Sequence, residues 1–152
     1  MKNLTADKII GHLDGFFKQR AAGYCIEMVF LYGSWASGYP RGDSDIDLAI
    51  RFYDTVGPLD KIHFLLTEIS YALFKELNQE VDIISLDKDF SHPMLYYNAI
   101  ISGIPVYIED NDKFLSLKLE AIHQMEDFQS FGATWQRQIT DKIMREVING
   151  RI

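Results

Sequence analysis

The chain has 152 residues, 47% of them hydrophobic and 13% aromatic, enough for the core of one compact domain over residues 1–152 and too much for a disordered tract. A formal net charge of −7 excludes a broad basic surface that grips nucleic acid by neutralising phosphates, so no direct nucleic-acid binding is expected. The one cysteine, Cys25, lies in an apolar run; it excludes an internal disulfide and reads as a buried structural thiol in a reducing compartment.

The first residues do not form a signal peptide, because Asp7, Lys8 and Asp14 interrupt the apolar positions. No apolar run is long enough for a bilayer, so no membrane association and a cytoplasmic location are expected. Thr5 to Gln19 reads as a helix with Ile9, Ile10, Leu13, Phe16 and Phe17 on one side, Thr5 as its N-cap and Gly23 as its end. Tyr24 to Tyr32 reads as a strand, apolar apart from Glu27. Ser34 to Ser37 fits one or two helical turns, and Gly38, Pro40 and Gly42 make a turn. Asp45 to Phe52 is a second strand with clean alternation: Ile46, Leu48, Ile50 and Phe52 point one way, and Asp45, Asp47, Ala49 and Arg51 the other.

Pro58 opens a long helix to about Leu77, whose stripe includes Ile62, Leu65, Ile69 and Leu73. Glu80 to Leu86 is a third strand, Pro93 to Ser102 a helix stopped by Gly103, and Ile104 to Glu109 a short fourth strand. From about 112 to 149 the pattern is helical, with a break expected near Gly132. The strands flanking Ser34–Ser37 are too close in sequence for a full crossover helix, so they should pair antiparallel. The fold class is α/β (α+β), a small mixed β-sheet with flanking helices and a long C-terminal helix.

The unusual feature is the pair of acids at the head of the second strand. Residues i and i+2 share a face, so Asp45 and Asp47 project together and repel unless something positive lies between them. A divalent cation answers this, since Mg²⁺ takes one or two carboxylates plus substrate phosphates. Gly33 and Ser34 stand where a strand gives way to a helix start, a place suited to phosphate, and Arg41 and Ser44 add donors near the same turn. A phosphate seat facing a carboxylate pair is the layout for a nucleoside triphosphate with its metal. Asp82, an acid in the apolar strand "VDIISL", is the candidate third carboxylate, with Glu80 in reserve. Trp35 reads as packing beside the loop, and His12, His63, His92 and His123 have no metal-ligand spacing.

Gly-Ser, ten residues, then Asp-x-Asp, in "GSWASGYPRGDSDIDLAI", resembles the signature of the DNA polymerase β-type nucleotidyltransferase superfamily. The small size and "ISGIPVYIED" before a long helix resemble its minimal (MNT) branch. The resemblance implies a polymerase β-like fold and transfer of a nucleoside monophosphate from an ATP–Mg²⁺ complex, with two ions, to a hydroxyl. By position, Gly33 and Ser34 would hold the triphosphate, and Asp45, Asp47 and Asp82 would be the catalytic, metal-binding acids. It further implies an antitoxin that transfers AMP to a tyrosine of a HEPN-domain RNase toxin and silences it. A small-molecule nucleotidyltransferase of the aminoglycoside-modifying kind would use the same site. A non-catalytic antitoxin that only masks its partner has no need for facing carboxylates. Phe114, Leu117, Phe128, Phe131 and Trp135 on the last helix are expected to pack against their own domain, with a partner interface as the other use.

Overall fold

The computed structural model describes residues 5–38, 40 and 44–150. The elements follow in the expected order: α1 (Ala6–Arg20), β1 (Ile26–Tyr32), α2 (Ser34–Ser37), β2 (Ile46–Phe52), α3 (Leu59–Leu77), β3 (Val81–Ser85), α4 (Pro93–Tyr97), β4 (Ile104–Ile108) and α5 (Asn111–Ile148). The turn after α4, Asn98–Ser102, is wound as a π-helix. The four strands form one mixed sheet in the order β3-β2-β1-β4. β1 is antiparallel to both β2 and β4, and β2 is parallel to β3. A short link joins antiparallel β1 and β2, α3 supplies the crossover that the parallel β2–β3 pair requires, and β4 returns after α4 to the other side of β1.

Each face of the sheet has its own core. On the first, Ile46, Leu48, Ile50 and Phe52 of β2 meet Ile9, Leu13, Phe16 and Phe17 of α1 and Leu65, Ile69, Leu73 and Leu77 of α3. The spacing of these helical residues is that of a single stripe, so burying them orients both helices. Thr5 caps α1, its Oγ1 accepting from the Lys8 N–H at 3.3 Å. Asn78 closes α3 in the left-handed region, with φ of 52°.

The second face is the one expected to carry Asp45, Asp47, Ala49 and Arg51. It is covered over most of its length: Met28, Phe30 and Ala49 are buried against Tyr96, Ala99, Ile100, Leu117 and Ala121. Small Ala49 lets the α4 layer sit close, and the face stays open at its Asp47 end. Gly103 fastens the layer there, because a Cβ on it would collide with the Ala99 carbonyl oxygen and lie 2.7 Å from that of Leu31. No side chain larger than hydrogen fits between the π-helical turn and β1.

Three expectations are revised. β1 starts at Ile26, since Tyr24 and Cys25 belong to a turn in which Cys25 takes φ of 58°; the thiol is half-buried. Glu27 is buried within β1, with Lys113 Nζ at 3.9 Å. α5 runs unbroken through Gly132, and only its first turns, at Phe114, Leu117 and Ala121, pack on the domain; Phe128, Phe131 and Trp135 are exposed.

Candidate active site

Gly33 turns the chain out of β1 with φ of 75° and ψ of −154°, and α2 begins at Ser34. The position admits only glycine, because a Cβ would fall on the Asp47 carboxylate. The Asp-x-Asp strand and the Gly-Ser turn are therefore in contact. The Ser37 N–H donates to the Gly33 carbonyl at 3.1 Å, closing the turn, and no side chain caps its N-terminal end. Trp35 is buried, and its Nε1–H donates to the Ser44 carbonyl at 3.1 Å, tying α2 to the strand that returns toward Asp45. Its indole is thereby committed to packing. Arg41 lies outside the described residues.

The sheet register sets the acids in place. Tyr32 of β1 lies opposite Asp47 of β2, and Asp47 lies beside Asp82 of β3. Cross-strand partners share a face about 4.8 Å apart, so the three side chains form one row across three strands. Asp45 stands just before β2; it and Asp82 are exposed, while Asp47 is half-buried. Burial raises the Asp47 pKa, and the charges of Asp82 and then Asp45 raise it further. Tyr32 is pushed up to about 12 by burial, then by Asp47 and Asp82, so its hydroxyl stays protonated beside them. Tyr32 carries no signal in the motif; its place follows only from the hairpin pairing of β1 with β2.

Among the described residues no Lys or Arg pairs with these acids. An all-oxygen, mutually repelling donor set suits a hard divalent cation such as Mg²⁺. Among the described residues no three His, Cys, Asp or Glu side chains are gathered closely enough to cage a metal ion by themselves. Glu80, the reserve acid, is exposed; its carbonyl accepts from the Ile46 N–H at 2.9 Å and so helps to hold the β2–β3 register. Glu80 and Asp82 both line a groove of about 490 Å³ between α3 and the edge strand, with Ser70, Tyr71 and Phe74.

A larger cleft, of about 580 Å³, lies at the opposite end of β2 and β3, beside Arg51, Asp54, His63, Asp87 and Tyr96. Its polar side chains are already engaged within the chain. Arg51 donates to the Leu86 carbonyl at 2.9 Å, Lys88 pairs with Asp54 at 3.0 Å, and Asp87 accepts from Ser91 and Tyr96.

Comparison with known proteins places the fold. Chains of three solved structures share the fold. A mutant of the MntA–HpeT toxin–antitoxin is 20% identical, with a TM-score of 0.62, covering 93% of this chain and 99% of that one. A toxin–antitoxin with AMP-PNP is 20% identical, with a TM-score of 0.60 and coverages of 86% and 98%. A chain of the structure of a tri-AMPylated Shewanella oneidensis HEPN toxin in complex with MNT antitoxin is 18% identical, with a TM-score of 0.59 and coverages of 89% and 98%. No curated protein sequence matches. The family model described as "Polymerase beta, Nucleotidyltransferase" matches residues 16–112, a span that holds the whole sheet, the Gly-Ser turn and all three acids. The chain belongs to the polymerase β nucleotidyltransferase family.

Proposed function

We propose that this protein is an antitoxin that transfers AMP from ATP to a hydroxyl, a tyrosine, of a partner HEPN RNase toxin and so neutralises it. The observation that carries the reading is the row Asp47–Asp82 with Asp45 beside it, an acidic cluster without a cationic partner among the described residues, in contact with Gly33 at the helix start. Family membership supports nucleotidyl transfer. The solved toxin–antitoxin neighbours, one with an AMPylated toxin, support the choice of acceptor.

In this reading Gly33 and Ser34 hold the triphosphate through backbone N–H groups, with the Ser34 hydroxyl as a further donor and Arg41 and Ser44 nearby. Asp45, Asp47 and Asp82 would hold two Mg²⁺ ions, which when bound neutralise charge building on the α-phosphate. Asp82, on the edge strand and open to solvent, takes the proton of the acceptor hydroxyl. That oxygen bonds to the α-phosphorus as the bond to pyrophosphate breaks, and the leaving group departs along the Gly33–Ser34 turn. Tyr32, neutral beside the acids, keeps a donor hydroxyl on the buried side of the row.

The test is to mix the protein with α-labelled ATP, Mg²⁺ and a co-encoded HEPN RNase. Label on a tyrosine of the partner, with loss of its RNase activity, is the expected result. Label on an aminoglycoside but not on the partner would move the assignment to a small-molecule transferase. Neutralisation that persists in an Asp45→Asn/Asp47→Asn double variant would reduce the protein to a masking antitoxin.

A further inference from the structure

β3 is an outer strand of the sheet, and it carries Asp82. The Ile46 N–H donates to the Glu80 carbonyl and the Leu86 N–H to that of Ile50. Even-numbered residues of β3 therefore turn their backbone toward β2, and Val81, Ile83 and Ser85 turn theirs to the free edge. The chain itself engages two of these outward carbonyls. Val81 accepts from the Ser70 hydroxyl at 2.9 Å, and Ser85 from that of Tyr96 at 3.2 Å. At Ile83 neither the N–H nor the carbonyl has a partner among the described residues. An edge strand with unpaired backbone groups is a template for an added strand, and here both groups are unengaged at one residue, next to Asp82.

Register and pleat then state what the added strand carries. A residue beside Asp82 extends the row Tyr32–Asp47–Asp82 by one strand spacing of about 4.8 Å, on the same face. A tyrosine at that position has its ring on the side of the acids. Its two neighbours project to the opposite face, where Val81 and Ile83 pack toward α3. There the groove of about 490 Å³ offers them Tyr71, 59% exposed, and Phe74, 41% exposed. The residue two along, beside Glu80, returns to the acidic face. The groove is lined by Glu80 and Asp82 and, among the described residues, by no Lys or Arg, so that position suits a basic side chain. A second copy of this chain, at −7, would bring acid to acid. We propose that the acceptor segment of the partner protein adds to the β3 edge at Ile83. Its tyrosine then lies beside Asp82, apolar neighbours fill the groove, and a basic residue two positions from the tyrosine faces Glu80. This rests on the transfer reading above and names how its acceptor is held.

The experiment measures labelling of a co-encoded HEPN RNase by α-labelled ATP and Mg²⁺, with the parent protein beside its variants. Ile83→Pro removes an N–H that faces the free edge and leaves the β2 ladder whole, as edge strands tolerate. Ile83→Val keeps that N–H and is its control. Ile83→Pro should lower kcat/KM for the toxin about 10-fold, since a carbonyl of the segment is left without its donor, and the KM for ATP should not share the loss. Tyr71→Ala/Phe74→Ala, at two exposed positions, should also lower kcat/KM for the toxin, and it decides the matter if circular dichroism shows Ile83→Pro unfolded. Mass spectrometry locates the labelled tyrosine. Glu80→Lys should slow its labelling, and changing the toxin's basic residue two positions away to Glu should restore it. If the parent labels no partner, the transfer reading falls and this proposal with it. If the parent labels the toxin and the folded variants label it equally well, the docking alone is overturned. A labelled tyrosine with no basic residue two positions away overturns the pairing with Glu80.

Discussion

Asp47 and Asp87 are the same residue type at opposite ends of the parallel pair β2–β3, and their pKa values move in opposite directions. Burial pushes both upward. At Asp87 the hydrogen bonds overcome it: Ser91 donates through its hydroxyl and, at 3.1 Å, its N–H, Tyr96 donates at 2.6 Å, and His92 adds its charge, so the net movement is downward. At Asp47 the neighbours are Asp82 and Asp45, and the net movement is upward. The protein completes the charge at one end and leaves it uncompleted at the other. An acid stabilised by its own chain is part of the architecture. An acid held among like charges, half-buried and pressed against a glycine, is a place where the fold gives up stability for binding. On the proposed reading this difference assigns the reaction to the smaller end of the sheet rather than to the larger cleft opposite.

The largest effect expected is that of removing the Asp47 charge. Asp47→Asn should lower AMP transfer by about 10³-fold or more, as loss of a group aimed at transition-state charge does. Its effect on stability should have the opposite sign. With the folded pKa above the unfolded one, the stability Asp47 contributes is present in full below the unfolded value and is lost as pH rises through the folded value. At pH 7 the charge is unfavourable in the free protein, so Asp47→Asn should melt at the same temperature as the parent or higher. A fall of more than a few degrees would mean that the carboxylate is structural, and the contrast with Asp87 would fail.

Next comes Gly33→Ala. The backbone stands at φ of 75°, and the added methyl falls on the Asp47 carboxylate. Left-handed strain costs about 1–2 kcal/mol. Displacing the carboxylate by a fraction of an ångström to an ångström should reduce transfer by about 10²-fold. Urea denaturation and initial rates measure the two effects. In the double variant Gly33→Ala/Asp47→Ala the methyl has room, so the stability loss should be smaller than the sum of the single losses. Strict additivity would show that the two residues are not in contact.

How far these contrasts were legible in the sequence depends on the kind of information each required. The order of elements was legible because the stripes of α1 and α3 and the alternation of β2 are local. The antiparallel β1–β2 pair followed from the short connection, and Asp45 and Asp47 stood out as the acids of an otherwise apolar strand head. The row across three strands was legible only in part: Asp82 was named from its strand, but its exact place beside Asp47 is a matter of register. Tyr32 has no motif of its own. The cover over Ala49 was not legible either, since alternation reports one buried face and a small residue on the other face looks solvent-tolerant. Gly132 misled because a single glycine among good helix formers is too small a cost to end a helix. The Asp87 network was invisible, being made of ordinary Ser, His and Tyr residues brought together by the start of α4.

The smallest effect tests the completed end. Asp87→Asn should leave transfer unchanged and cost about 1 kcal/mol at pH 7, the scale of hydrogen bonds to a partly solvated charge. The pH dependence identifies the cause. Because the Asp87 pKa is lowered in the folded protein, its stabilisation is present above the unfolded value near 4 and is lost as pH falls through the folded value. The difference between parent and Asp87→Asn should therefore shrink on acidification, whereas that between parent and Asp47→Asn should swing toward the parent over the same range. Tyr96→Phe removes one of the donors, so the penalty of Asp87→Asn should be smaller in that background. If the Asp87→Asn penalty is the same at pH 7 and at pH 3, the residue acts through packing, and the two ends of the sheet do not differ in how their charge is held.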